Sequence, residues 1–132
     1  MVAEVLSDRA TKVPSFVKIN FSQTLSSSAS ATVTLVTPAS GKRVVVVSLG
    51  HIAIGTIVSN TKIKFLSNTT AITGQLTSNV AGLGQNGHIN SGYMPDGHFW
   101  TEKDEALKLE VTNGAGVSRV CTVDGFVTYY EE

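Results

Sequence analysis

Two imidazoles with a carboxylate form a ligand set that zinc accepts, and His88 and His98 flank a stretch that contains Asp96. The spacing matches no defined zinc pattern, and His51 lies in a different segment. Isolated histidines at strand ends are ordinarily hydrogen-bonded surface groups, so no metal is expected. Glu102, Asp104 and Glu105 crowd one turn around Lys103. A glycosidase needs two carboxylates facing each other across a cleft, about 5 to 9.5 Å apart, which one exposed turn does not offer. No Gly-x-Ser-x-Gly elbow occurs, and nothing else arranges a serine, a histidine and an aspartate as a triad. The run Gly82-Leu-Gly-Gln-Asn-Gly87 has the glycines of a phosphate loop, but no helical sequence follows to supply the dipole. Cys121 is the single cysteine, which rules out an intrachain disulfide and a thiolate zinc cluster. Its place in an alternating run marks it as a small buried hydrophobe. No enzyme, cofactor or small-molecule substrate is expected.

The aromatic residues offer a different chemistry. Tyr93, Phe99, Trp100, Tyr129 and Tyr130 could stack on a sugar or pack against another protein. Phe99 and Trp100 are adjacent, so on a strand they face opposite sides. One enters the core and the other is left for an interface or a ligand. Tyrosine and tryptophan are favoured in protein interfaces, which makes core plus subunit contact the preferred reading. Asn20-Phe-Ser22 and Asn68-Thr-Thr70 match the glycan acceptor pattern, but the amino terminus has acidic residues early and no apolar core of signal-peptide length. The chain reads as made and kept in a cytoplasm, at least until assembly, and those two matches read as accidental.

The elements that carry these residues are strands. Period-2 runs rich in β-branched residues recur between turn signals, with almost no helical periodicity. Strands are expected near Phe16–Phe21, Thr32–Thr37, Arg43–Ile54, Lys62–Leu66, Ala71–Thr77, His88–Ser91, His98–Thr101, Ala106–Val111 and Val117–Tyr130. The expected fold is an all-β antiparallel β-sandwich, jelly-roll-like, with an extended amino-terminal arm. Residues 1–25 form that arm and residues 26–132 the sandwich. Asn113-Gly114 between two alternating runs predicts a hairpin. Gly125 inside a long strand predicts a bulge or bend. The unbroken apolar run Val44–Val47 fits a strand covered on both faces, or one whose outer face meets another subunit. The segment before Lys12 has no convincing period; a frayed terminus and an arm docked on a neighbour both fit.

Composition narrows the partners. The 132 residues make one domain, 42% hydrophobic but only 15% charged, with serine, threonine, glycine and asparagine filling the gap. Such a surface suits a particle component or a secreted binder better than a crowded cytosolic enzyme. There is no formal net charge, so the electrostatic footprint of a nucleic-acid binder is missing. The longest apolar stretch, Val44 to Val58, is too short and too interrupted to span a membrane as a helix.

From Ser40 onward the chain resembles a family of short phage-encoded jelly-roll proteins. In that family a turn of Ala/Ser-Gly-Lys-Arg type opens a hydrophobic strand, as in Ser40-Gly-Lys-Arg-Val44. A lysine-phenylalanine strand and a Thr-Gly turn follow, matched by Lys62-Ile-Lys-Phe-Leu-Ser-Asn-Thr-Thr-Ala-Ile-Thr-Gly74. A proline-glycine turn with an aromatic strand comes next, as in Pro95-Asp-Gly-His-Phe-Trp100, then Glu105-Ala-Leu-Lys-Leu109. The family's chains end near aromatic and acidic residues, as Val127-Thr-Tyr-Tyr-Glu-Glu132 does. The resemblance implies a virion structural protein, most simply a capsid cement (decoration) protein bound as a homotrimer to the major capsid protein on the capsid surface. It carries no catalytic residue. Candidate subunit and shell contacts are Val5, Leu6, Val13, Phe16, Val45, Val47, Tyr129 and Tyr130. The alternative is a glycan- or receptor-binding module of a tail or head fibre, with Asn86, Tyr93, His98 and Trp100 as its site.

Overall fold

The computed structural model describes residues 15–26, 29–55, 59–80, 87–113 and 121–132. Alternation sets its layers. In β9 (Leu107–Asn113), Leu107, Leu109, Val111 and Asn113 point inward and are fully buried, while Lys108, Glu110 and Thr112 face out. The same period-2 pattern shapes β1 (Val17–Leu25) and β2 (Ser30–Val36), and the other long strands are β3 (Val44–Gly55), β4 (Ser59–Ser67) and β10 (Cys121–Glu131). Four shorter strands complete the set: β5 (Thr70–Ala71), β6 (Leu76–Val80), β7 (Gly87–Ser91) and β8 (Phe99–Trp100).

Two antiparallel five-stranded sheets result. One runs β1-β10-β3-β7, with β8 also on β3; the other runs β2-β9-β4-β5, with β6 also on β4. β1, β10, β3 and β7 of one sheet face β2, β9, β4 and β6 of the other, the strand arrangement of a jelly roll. Phe21, Leu25, Val44, Val46, Leu49, Val123 and Val127 from the first sheet meet Leu35, Val36, Ile63, Phe65, Leu107, Leu109 and Val111 from the second. Phe65 and Phe99 join the layers with ring centroids 4.8 Å apart.

Several sequence expectations change. Asn113 is not in a hairpin: β9 pairs with β2 and β4, whereas β10 pairs with β1 and β3. The strands on either side of Asn113-Gly114 therefore belong to different sheets. Asn113 is instead a buried clamp, its Nδ2 donating to the Leu25 and Ser26 carbonyls at 3.1 Å each. Its backbone N–H donates to Ala29 at 2.9 Å. The irregularity in β10 falls between Thr128 and Tyr129 and leaves Asp124-Gly125 in unbroken register. Gly125 serves close approach: a Cβ there would lie 2.4 Å from the Gly50 carbonyl oxygen and 2.5 Å from Phe21 Cζ. The expected strand Ala71–Thr77 is two, β5 and β6, each paired with β4. Residues 17–25, grouped on sequence with the arm, form β1 and pair with β10 along its whole length. Residues 1–14 and Asn86 lie outside the described residues, and with them Val5, Leu6 and Val13.

Candidate functional site

Val44–Val47 is apolar throughout because both faces of β3 are covered within the chain. Val44 and Val46 point into the core. Val45 and Val47 lie outside that core, yet they are only 1% and 0% exposed. Their cover is the loop between β7 and β8, which stays hydrogen-bonded to the β3 edge through Met94 N–H to Val47 O (2.9 Å) and His98 N–H to Val46 O (2.8 Å). At Gly97 the loop backbone sits so close that a Cβ would lie 2.4 Å from Val45 Cγ1. Val45 and Val47 are thereby removed from the candidate subunit contacts.

Covering these valines pushes other apolar side chains outward. Among the described residues the exposed large hydrophobics are Phe16, Val17, Tyr93, Met94 and Trp100. Tyr93 and Met94 come from the covering loop. Tyr130, Val45 and Trp100 stand side by side across β10, β3 and β8, so Tyr130 and Trp100 share the outer face about 10 Å apart. Phe16 extends the row beyond β1, with its ring centroid 5.5 Å from Tyr93 and 5.8 Å from Tyr130. The interplanar angles are 83° and 66°, edge-to-face contacts that fix the rings relative to one another. The result is an aromatic patch on the outer face at one end of the first sheet.

Polar groups pin its margin. Arg43 lies over the Trp100 ring at 5.4 Å and donates Nε–H to Glu132 Oε1 at 2.8 Å, while the Arg43 and Glu132 backbones exchange hydrogen bonds of 2.9 and 3.1 Å. The Tyr130 hydroxyl makes a long contact of 3.5 Å to the Pro95 carbonyl. Burial raises the Tyr130 pKa above that of an ordinary phenol, and the Glu132 and Asp96 carboxylates raise it further. Tyr129 is raised too, by burial first and then by Glu131. Tyr129 packs at the edge of the core, not in the patch.

The other candidates are placed as follows. His98 is exposed, with Nε2 2.7 Å from the Gly92 carbonyl oxygen. His51 and His88 lie in β3 and β7, their side chains outside the described residues. The carboxylates of the Glu102–Glu105 turn do not converge. Asp104 accepts from the Gly41 N–H at 2.6 Å and Glu105 accepts from the Ser67 hydroxyl, while the Glu102 N–H donates to Ser67 Oγ at 2.9 Å. Phe16 and Tyr130, taken from the sequence as contact residues, thus join Tyr93 and Trp100, taken as ligand residues, on one surface. Met94 was missed; an apolar side chain in a proline turn, with no core position open to it, was the available signal.

No protein-family model matches the chain, and no curated protein matches it in sequence. Solved structures do match in shape. A chain of the cyanophage Pam1 capsid asymmetric unit superposes with a TM-score of 0.50 at 18% identity, covering 90% of this chain and 86% of that one. The fold is therefore shared with a phage capsid component. A chain in the structure of the infectious bursal disease virus Gx strain gives 0.46 at 14% identity, covering 92% of this chain and 32% of that one. A CBM4 chain gives 0.41 at 9% identity, covering 89% and 93%. These last two are too distant in shape to bear on function.

Proposed function

We propose that the chain is a structural protein of a phage particle, a capsid cement protein that binds the outer shell as a homotrimer and stabilises it. The observation that carries this reading is the collection of Phe16, Tyr93, Trp100 and Tyr130 on one face of a jelly roll, with the exposed Met94 in the loop next to Tyr93. A grouped apolar surface marks an interaction site, and aromatic side chains with methionine are enriched in the centres of interfaces. Further support comes from the match over most of the chain to a phage capsid component and from the sequence resemblance to phage jelly-roll proteins. A ligand that recognises assembled shell subunits and not free ones stabilises the shell by mass action, and no reaction is required.

A glycan site at Tyr93, His98 and Trp100 is less well served. A sugar platform needs free ring faces lying along the surface. Here Arg43 lies over Trp100 and is itself tied to Glu132, and Tyr93 meets Phe16 edge to face. The test is co-sedimentation of the purified protein with shells of the encoding phage. Wild type should sediment with shells and run as a trimer, and Tyr93→Ser/Met94→Ser/Trp100→Ala should fold but stay in the supernatant. Retained binding by the triple variant, with loss on deleting residues 1–14, would move the contact to the arm. Failure of the wild type to bind shells would overturn the reading.

A further inference from the structure

The same sheet carries a second feature, away from the aromatic patch. Alternation along β10 sends Val123 and Val127 into the core and turns Phe126 outward, onto a face of mostly polar side chains. In register across the sheet stand Asn20 of β1, Phe126 of β10, Gly50 of β3 and Asn90 of β7. Gly50 leaves a gap in that row, and the Phe126 ring leans into it. A Cβ on Gly50 would lie 2.9 Å from Phe126 Cε1, 3.2 Å from Cζ and 3.7 Å from Asn90 Oδ1. The ring thus rests against the sheet backbone with an amide side chain on either side.

What surrounds the ring is uncommitted. Asn20 and Asn90 are exposed, and neither side chain makes a hydrogen bond among the described residues. Lys18 holds its ammonium 4.8 Å from the ring centroid and makes no ion pair among the described residues. Its flexible stem lets it swing aside, unlike Arg43 on Trp100, which Glu132 restrains. Asp124, next along β10 on this face, accepts from the Ser22 hydroxyl.

We propose that this face binds a saccharide. A ring held against the sheet offers an apolar floor to the C–H face of a pyranose. Each asparagine offers a carbonyl acceptor and an NH₂ donor, the combination that reads neighbouring hydroxyls. Lys18 supplies a mobile donor for a rim hydroxyl or a sugar carboxylate. Asn20 and Asn90 stand three strand spacings apart, about 14 Å, so the site takes more than one sugar ring. Aromatic floor plus a few placed polar groups is the general composition of a small-ligand site. The inference does not rest on shell attachment, since none of its residues lies in the aromatic patch.

The experiment is an array of bacterial surface-polysaccharide fragments and common oligosaccharides, followed by calorimetry with the strongest component. Wild type should bind. Phe126→Ala and Asn90→Ala should each weaken binding about tenfold or more, the equivalent of roughly 1.4 kcal/mol. The unfolding midpoint of Asn90→Ala should stay near wild type because Asn90 is exposed, that of Phe126→Ala should fall only modestly because Phe126 is half-buried outside the core, and Trp100→Ala should bind as wild type does. Should Phe126→Ala fail to fold, Asn90→Ala decides alone. The proposal is overturned if no component binds, if Phe126→Ala or a folded Asn90→Ala binds undiminished, or if the loss follows Trp100→Ala. Phe126→Ala should still sediment with shells, so the two readings fail separately.

Discussion

Replacing Gly97 with alanine should unseat the loop that covers β3. The Met94 carbonyl accepts from the Gly97 N–H at 2.9 Å, closing a turn with proline at its second position and glycine at its fourth. Gly97 has φ of 90°, a conformation that costs an alanine about 1–2 kcal/mol. The new Cβ would also stand 2.4 Å from Val45 Cγ1, in a site with no room to move, and such overpacking costs about 1–3 kcal/mol. Together these give a loss of about 2–5 kcal/mol, which in a domain of this size lowers the midpoint by on the order of 10–20 °C. Thermal and urea unfolding at fixed protein concentration measure it. Val45→Ala alone should cost about 2 kcal/mol through two lost methyls and the cavity left behind. The double variant keeps the backbone strain but loses the clash, so it should be about 1–3 kcal/mol more stable than the sum of the single effects. Additive effects, within about 0.5 kcal/mol, would mean that Gly97 does not rest on Val45 and would refute this account of the buried valines.

Asn113→Ala should destabilise by about 2–4 kcal/mol in urea unfolding, because it strips donors from two carbonyls beside a buried side chain. Asn113→Asp should be worse at neutral pH, since it sets a carboxylate against those carbonyls. The raised pKa values of Tyr129 and Tyr130 give a signed pH dependence. Above the ordinary phenol value of 10.0 the unfolded chain releases protons that the folded chain retains, so stability is complete below that pH and falls as pH rises through the folded values. Ultraviolet titration of the phenolates should place Tyr129 and Tyr130 above an ordinary phenol, and the Tyr129→Phe/Tyr130→Phe variant should lose part of the alkaline decline.

The strands were legible because alternation is local: Leu107, Leu109 and Val111 announce their face without help from the rest of the chain. Pairing was less so. Asn113-Gly114 has hairpin chemistry, yet the partners of β9 and β10 are set by which sheet buries each strand, a long-range matter. Gly125 reads as a bulge from sequence, while in the fold it makes room for Phe21 and the Gly50 carbonyl across two neighbouring strands. The run Val44–Val47 correctly signals two covered faces. That the cover is the chain's own Tyr93–Gly97 loop, and not a neighbouring subunit, depends on β7 and β8 sharing one edge of β3. The aromatic patch inherits the same difficulty. Its members lie between residues 16 and 130 and meet only once the first sheet is assembled.

The most direct test of the proposed virion role is the copy number of this chain, by quantitative mass spectrometry against the major shell protein, in virus particles purified from cells that carry its gene. The account predicts one copy per shell subunit or a simple fraction of it. A handful of copies per particle would place the chain in a tail or fibre, and its absence from particles would contradict the virion assignment altogether.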